Sequence, residues 1–476
     1  MVEDGNVIAM NPKTGDVLAM ATYPDYNLNT PFDMPSYMDE KDWKKLSSDE
    51  KYNVLNKVYR NRAISDTYEP GSVFKIITAS IAIEENLATP DTKNVYSCKG
   101  YQMVSGTKMK CSVYPSKHDN QSLREALANS CNPAFIQLEQ KIGASTSYRY
   151  YNAYGFFQKT GIATSGESNY PIFWNLENVG PIELATMSFG QRFKITPLQM
   201  ITAVASIAND GILMQPRIVK EIKNTDTGAI TTTQPTEVRQ VISKETADTM
   251  MSMLETVVTD GTGKYAKVSG YSISGKTGTS EPDPGKKDEG YTASFLAISP
   301  TENPEIVLLV TLYDPQGAKG VHGSSVAAPV AAQMLKEILP YLQIPADSSN
   351  SSSSKTISLP DVTNKTIAEA KKILEKAGFT CSTSGDSQDI VTEQYPIKGT
   401  SLLKNSIIKL YTKTEDTRVS KQVPSLTGKN LSQVKTLLKE RNLNLSVSGS
   451  GTVVSQDPIE GTSVEEGYVV KVTFGQ

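Results

Sequence analysis

The chain is 476 residues long, with 48 Lys and Arg against 51 Asp and Glu and a formal net charge of −3. That length predicts more than one domain, and a region of about 300 residues can bury roughly three quarters of its unfolded surface. The near-balance of charge excludes a global basic field, so no nucleic acid partner is expected. No run of about 18 apolar residues occurs, so no segment is predicted to span a membrane, and no secretory leader is predicted at Met1.

In chain order, residues 7–10 and 17–21 are short apolar runs joined by Pro12-Lys13-Thr14-Gly15-Asp16, which predicts a β-hairpin. Pro70 and Gly71 interrupt the chain, and residues 72–85 then show helical spacing in Val73, Ile76, Ile77, Ser80 and Ile81. Residues 121–143 are predicted helical, as is the small-residue stretch 196–209, which runs into the turn Ala208-Asn209-Asp210-Gly211. Residues 271–273, 293–298 and 306–313 read as strands and 327–339 as a closing helix. Helices mixed with antiparallel strands in this way predict an α+β fold.

Residues 346–355 read Ala-Asp-Ser-Ser-Asn-Ser-Ser-Ser-Ser-Lys, a flexible linker by composition. An internal repeat follows it. Leu359-Pro360-Asp361 matches Val423-Pro424-Ser425 at an offset of 64, and Gln394-x-Pro396-x-x-Gly399 matches Gln456-x-Pro458-x-x-Gly461 at an offset of 62. Ala370, Ile373 and Leu374 match Val434, Leu437 and Leu438, so each unit reads as one amphipathic helix followed by strands.

Three short patterns stand in order along the first part of the chain: Ser72-Val73-Phe74-Lys75, Ser130-Cys131-Asn132 and Lys276-Thr277-Gly278-Thr279. Singly, each has a plain reading. Ser72 could cap a helix, Lys75 could be a solvated helix lysine, and the last pattern could be a strand running into a turn. Together and in this order, S-x-x-K, S-x-N and K-T-G-T resemble the catalytic signatures of penicillin-interacting serine acyltransferases. Phe189-Gly190-Gln191, Thr196-Pro197-Leu198-Gln199 and Ile207-Ala208-Asn209-Asp210-Gly211 resemble the stretch before the third motif of class B penicillin-binding proteins. Tyr23-Pro24-Asp25-Tyr26-Asn27-Leu28-Asn29 resembles their opening segment, and no stretch resembles the Glu-bearing loop of class A β-lactamases. The paired C-terminal repeats resemble PASTA domains.

The resemblance implies roles for matched positions. Ser72 is the nucleophile and Lys75, crowded by Lys276 and partly desolvated, its base. Ser130 relays a proton to the leaving amine, and Asn132 holds a substrate peptide bond and Lys75. Lys276, Thr277, Gly278 and Thr279 receive a terminal carboxylate, and backbone N–H groups at Ser72 and on the Thr279 strand form an oxyanion hole.

Three of the four cysteines and one of the two histidines fall in one segment, Cys98, Cys111, His118 and Cys131, with spacing C-x12-C-x6-H-x12-C. Cys3His is a structural zinc set, and Asp119 could replace one ligand. A Cys98–Cys111 disulfide and inert buried thiols are the alternatives. Cys381 reads as a core residue of the first repeat, and His322 as structural.

The expected architecture is therefore a penicillin-binding, serine β-lactamase-like α+β transpeptidase domain over residues 1–344, a linker over 345–356, and PASTA repeats over 357–414 and 419–476. The expected function is a serine D,D-transpeptidase acting on peptidoglycan stem peptides and acylated by β-lactams, with one structural Zn2+ and no organic cofactor. The repeats and the cysteine pattern resemble the sporulation-specific branch of class B. A D,D-carboxypeptidase and a non-catalytic wall-binding or β-lactam-sensing module are the alternatives. The resemblance also implies the extracytoplasmic face of the membrane, with an anchor helix upstream of Met1 and a polytopic glycosyltransferase partner reached through it. For the sporulation branch, the forespore intermembrane space is the implied location.

Overall fold

The computed structural model describes residues 4–168, 172–282, 290–317, 320–344, 346, 357–383, 385–402, 406–413, 418–429, 431–449 and 452–475. They fall into two compact units, Met1–Val268 with Ser272–Lys336, and Ser269–Tyr271 with Glu337–Gln476. The predicted linker, Ala346 apart, lies outside the described residues.

In the first unit the predicted hairpin is present as β1 (Asp4–Met10) and β2 (Val17–Tyr23). After three helices between Glu40 and Ser65, the chain enters a single 3₁₀ turn, Gly71–Phe74, that continues as helix α1 (Lys75–Glu84). Every residue of α1 from Lys75 to Ala82 is buried. A helix apolar on all sides has no face for solvent and belongs at the centre of a domain. Four short strands follow, β3 (Tyr96–Cys98), β4 (Tyr101–Val104), β5 (Thr107–Lys110) and β6 (Asp119–Gln121), paired as β3–β6 and β4–β5.

The stretch predicted as one helix over 121–143 is two, α2 (Leu123–Ala128) and α3 (Asn132–Ile142). The break falls at Ser130, whose φ is +53°. Pro133 in the first turn of α3 lacks the N–H that a continuing helix would need, so the second helix starts afresh at Asn132. Beyond a further helix, Ala144–Ala153, come α4 (Pro181–Met187), α5 (Pro197–Ile207) and α6 (Lys244–Thr259), and Thr196 with Gln199 forms a capping box on α5.

The unit closes with β7 (Ser274–Ser280), β8 (Thr292–Ser299), β9 (Ile306–Tyr313) and α7 (Gly323–Tyr341). The strands form one antiparallel sheet in the order β7-β8-β9-β1-β2. The strand predicted at 271–273 is a correction: it begins at Ser274 and contains the third motif. Its sequence, Ser-Gly-Lys-Thr-Gly-Thr-Ser, has little intrinsic strand preference, and pairing with the apolar β8 overrides that. Leu296, Ile298, Val307 and Leu309 share one core with Ile77 and Ile81 of α1, Ile201 of α5 and Leu254 of α6. Burial of each such aliphatic side chain contributes about 1.5–3 kcal/mol.

In the second unit, each repeat has the predicted order. The helices are Ile367–Ala377 and Leu431–Lys439, and the long C-terminal strands are Ile407–Thr412 and Val469–Gly475. The matched glutamines have a matched job. Gln394 accepts from the N–H of Val362 and donates to the carbonyl of Pro360; Gln456 accepts from Leu426 N–H and donates to Pro424 O. Each ties its repeat's V/L-P segment to the strand before the P-x-x-G turn. The side chain of Asn444 then joins the two repeats, accepting from Ile407 N–H at 2.8 Å and donating to Ile407 O at 2.9 Å.

Candidate active site

The 3₁₀ turn places Ser72 and Lys75 three residues apart on one face, because side chains at i and i+3 eclipse in that geometry. Gly71 makes the turn possible. Its φ is +54°, and a Cβ there would meet the Thr279 carbonyl oxygen at 2.8 Å. The backbone ahead of the serine therefore lies directly against edge strand β7. Gly278 is required for the same approach, since its Cβ would fall 2.3 Å from Ser294 Oγ and 2.9 Å from Val73 Cγ2.

The three motifs converge on Ser130. Lys75 Nζ donates to Ser130 O at 2.7 Å, to Asn132 Oδ1 at 2.7 Å and to Ser130 Oγ at 3.3 Å. Lys276 Nζ donates to the same Ser130 Oγ at 2.9 Å and to Thr277 O at 3.1 Å. Both lysines are wholly buried. Burial lowers Lys75 to about 8, partly opposed by the nearby sulfurs of Cys131 and Cys111. Lys276 is held well below its ordinary value, first by burial and then by Lys75. Ser72 itself is half-buried.

Other contacts fix the frame around them. Asn132 Nδ2 donates to the Lys110 carbonyl of β5 at 3.1 Å. Thr277 Oγ1 shares a hydrogen with Thr262 Oγ1 at 3.0 Å, and Thr279 Oγ1 accepts from Gly323 N–H at 3.0 Å. Sequence reasoning missed Lys110, Thr262 and Gly323. The first acts through its backbone, which no side-chain pattern reports; only the Gly320–Gly323 pair marked the third as a place of close approach. The contact at Gly323 also puts exposed His322 beside the third motif.

Cys98, Cys111, His118 and Cys131 come together, with all four candidate ligand atoms within 4.8 Å of one another. His118 Nδ1 lies 3.8 Å from Cys98 Sγ and 3.5 Å from Cys111 Sγ. All four cysteines of the chain are free thiols. A proton shared with Cys131 draws the Cys111 thiol well down and pushes that of Cys131 up. Asp119 is not in the cluster: it is exposed and paired with Lys117 at 2.5 Å, so its candidacy as a ligand is withdrawn. Cys381 packs against the core of the first repeat.

Residues 5–336 match the family described as penicillin-binding protein transpeptidase domain, and residues 357–414 and 421–476 match the PASTA domain. The chain is 33% identical over 423 residues to stage V sporulation protein D of Bacillus subtilis, covering 87% of this chain and 62% of that protein. It is 31% identical over 340 residues to the peptidoglycan D,D-transpeptidase PbpA of Mycolicibacterium smegmatis, covering 68% of this chain and 65% of that protein. The chain thus spans just under two thirds of these relatives' length. Among solved structures it is similar to penicillin-binding protein 3 of Mycobacterium tuberculosis complexed with aztreonam, with a TM-score of 0.60 and 27% identity over 73% of this chain and 75% of that one. Among the described residues no helix is long and apolar enough to cross a membrane.

Proposed function

The chain belongs to the penicillin-binding protein transpeptidase family, and on that premise we propose that it is a serine D,D-transpeptidase that cross-links peptidoglycan stem peptides. The observation that carries this reading is the junction at Ser130, where two buried lysines from different elements meet one hydroxyl. In the first half-reaction Ser72 Oγ attacks the penultimate D-Ala carbonyl carbon. Its proton passes to Lys75, which keeps two N–H groups on the carbonyl oxygens of Ser130 and Asn132 and has its lone pair left over when neutral. Backbone N–H groups of Ser72 and Thr279 receive the oxyanion. The C–N bond breaks, and the leaving D-Ala amine takes the Ser130 hydroxyl proton, which Lys276 replaces. In the second half-reaction Lys75 passes its proton through the Ser130 hydroxyl back to Lys276 and, neutral again, takes one from a stem-peptide amine as it attacks the ester carbon; the C–O bond to Ser72 breaks and Lys75 returns that proton to Ser72 Oγ. A β-lactam follows the first half only: its C–N bond opens, but the amine stays tethered.

The test is covalent labelling with fluorescent penicillin together with product analysis on a pentapeptide donor and an amine acceptor. Ser72→Ala is expected to abolish labelling, and wild type to yield cross-linked dimer with release of D-Ala. Undiminished labelling of Ser72→Ala overturns the nucleophile. Release of D-Ala without dimer makes the protein a carboxypeptidase, and a folded wild type with neither activity makes it a wall-binding or sensing module.

A structural Zn2+ belongs to the same reading. Zn–S bonds of about 2.3 Å set tetrahedral neighbours about 3.8 Å apart, a spacing these sulfur and imidazole atoms suit. Cys98, Cys111, His118 and Cys131 would fill all four positions, so the ion would supply geometry and no reactive site. One equivalent of zinc by elemental analysis supports it; a metal-free protein with a Cys98–Cys111 disulfide removes it. The likeness to stage V sporulation protein D supports a role in spore cortex synthesis, at the extracytoplasmic membrane face and beside a glycosyltransferase. Loss of cortex, with normal vegetative growth, in a deletion strain is the expected phenotype.

A further inference from the structure

Between α6 and β7 the chain runs through Asp260-Gly261-Thr262-Gly263, and this loop touches two of the three motif regions at once. Its backbone is pinned on the second-motif side. Thr262 N–H donates at 3.0 Å to the carbonyl of Ala128, the last residue of α2, and Gly263 N–H donates to Val257 O at 2.9 Å. Gly261 permits that approach, since a Cβ there would fall 2.5 Å from Ala128 O. The Thr262 side chain turns to the third motif. Its Oγ1 lies 3.0 Å from Thr277 Oγ1, and either hydroxyl can donate. Thr277 Oγ1 in turn lies 3.4 Å from Lys276 Nζ, which donates to Ser130 Oγ. Thr262 thus closes a ring that runs from Ala128 through Thr277 and Lys276 to Ser130.

The direction of the shared hydrogen decides what Thr277 offers a ligand. A hydroxyl has one hydrogen and two lone pairs, and an ionised carboxylate only accepts. A Thr277 that donates to Thr262 turns lone pairs on a carboxylate and repels it. A Thr277 that accepts from Thr262 keeps its own hydrogen for the carboxylate. Thr277 is buried, so its protein neighbours and not bulk water set that direction. Two of them favour the accepting arrangement. A charged Lys276 can donate to Thr277 Oγ1 and cannot accept from it. Thr279, on the same strand, shows the same polarity without ambiguity, because the Gly323 N–H that reaches its Oγ1 can only donate. Gly323 is packed hard on the strand pair, where a Cβ would meet Gly278 O at 2.2 Å and Ser294 O at 2.4 Å. We propose that Thr262 is a positioning residue: its hydroxyl donates to Thr277 Oγ1 and so aims the Thr277 hydrogen at the terminal carboxylate of the substrate. The proposal rests on the transpeptidase reading, which seats that carboxylate at Thr277 and Thr279, and it adds a residue outside the three motifs.

The test uses the full chain with benzylpenicillin, whose carboxylate stands in for that of the peptide, and with benzylpenicillin methyl ester, which lacks the charge. The rate constant for acylation of Ser72 by each is followed by mass spectrometry. Wild type is expected to favour the acid. Thr262→Val keeps the shape and removes the hydroxyl; it is expected to slow the acid about tenfold, the scale of one hydrogen bond to a charged group, and to change the ester by less than about twofold. Thr262→Ser keeps the hydroxyl and is expected to retain the wild-type ratio of acid to ester. In a Thr277→Val background, Thr262→Val is expected to alter that ratio by less than about twofold, because Thr262 acts through Thr277. Thermal melting reports folding, and Thr262→Ala repeats the measurement where Thr262→Val does not fold. Equal slowing of acid and ester makes Thr262 merely structural and overturns the proposal. An unchanged acid rate in the variant lacking the hydroxyl, a ratio lost in Thr262→Ser, or a wild type that takes acid and ester equally overturns it as well and leaves the acyltransferase standing. Wild type that benzylpenicillin does not acylate removes the transpeptidase reading and this one with it.

Discussion

The pH dependence of acylation should expose the base. Lys75 is lowered to about 8, chiefly because burial disfavours its ammonium. A depressed lysine gains its neutral, proton-accepting form at lower pH. With a pKa of about 8 it is neutral in roughly one molecule in ten at pH 7, half at pH 8 and nine in ten at pH 9. The second-order rate constant for penicillin acylation is therefore expected to rise about tenfold between pH 7 and pH 9 and then level. A solvated lysine near 10.4 would instead give about a hundredfold rise over that interval with no plateau. Lys276 is also depressed, first by burial and then by Lys75. The linkage has the same sign. Between about 8 and 10.5 the unfolded chain holds a proton that the folded chain does not, so stability from this group rises with pH across that window. Stopped-flow fluorescence with a labelled penicillin from pH 6 to 10 at constant ionic strength, with Lys75→Ala as the baseline, measures it. A flat profile from pH 7 to 9, or a hundredfold climb without a plateau, refutes the assignment.

Gly278→Ala puts a methyl 2.3 Å from Ser294 Oγ and 2.9 Å from Val73 Cγ2; it is expected to cost about 1–3 kcal/mol by thermal or urea unfolding and to slow acylation by displacing Ser72's turn. Gln394→Ala or Gln456→Ala orphans a backbone N–H and a carbonyl in its repeat, which is expected to destabilise the second unit by about 1–3 kcal/mol in calorimetry while penicillin acylation persists. Chelator treatment is expected to lower both the melting temperature and the acylation rate, because any metal binding energy at the Cys–His cluster is also folding energy. Unchanged values in chelator count against the zinc.

What was legible in the sequence was carried by side chains. The hairpin at β1–β2, the buried helix behind Ser72 and the paired repeats announce themselves through turn residues, apolar spacing and aligned Gln-x-Pro-x-x-Gly patterns. The three motifs marked the site because their chemistry needs those residue types. What was not legible depended on long-range pairing or on backbone atoms. β7 was expected as a strand at Thr279 through the resemblance, but its own composition has little strand preference, and pairing with β8 makes it one. Helix α6, amphipathic over Lys244–Thr259 and packed on β7, was overlooked even though its pattern is periodic, and Ser243 caps it. The break between α2 and α3 had a local signal in Pro133, but the left-handed Ser130 that accomplishes it had none.

That left-handed serine connects the cluster to the chemistry. A non-glycine residue in this region costs roughly 1–2 kcal/mol and persists only where its surroundings over-determine it. Four constraints act on the tripeptide Ser130–Asn132. Lys75 holds the Ser130 carbonyl and the Asn132 oxygen, and Lys276 holds the Ser130 hydroxyl. The Lys110 carbonyl holds the Asn132 amide, and Cys131 sits with Cys98, Cys111 and His118. Two of the four arise from the segment between β3 and β6, whose short paired strands bury little of their own. The cluster gives that segment a fixed point, and the segment returns it by keeping Asn132 aimed at Lys75. Cys131, between two side chains to which the transpeptidase reading gives catalytic roles, is therefore expected to matter for acylation without touching the substrate.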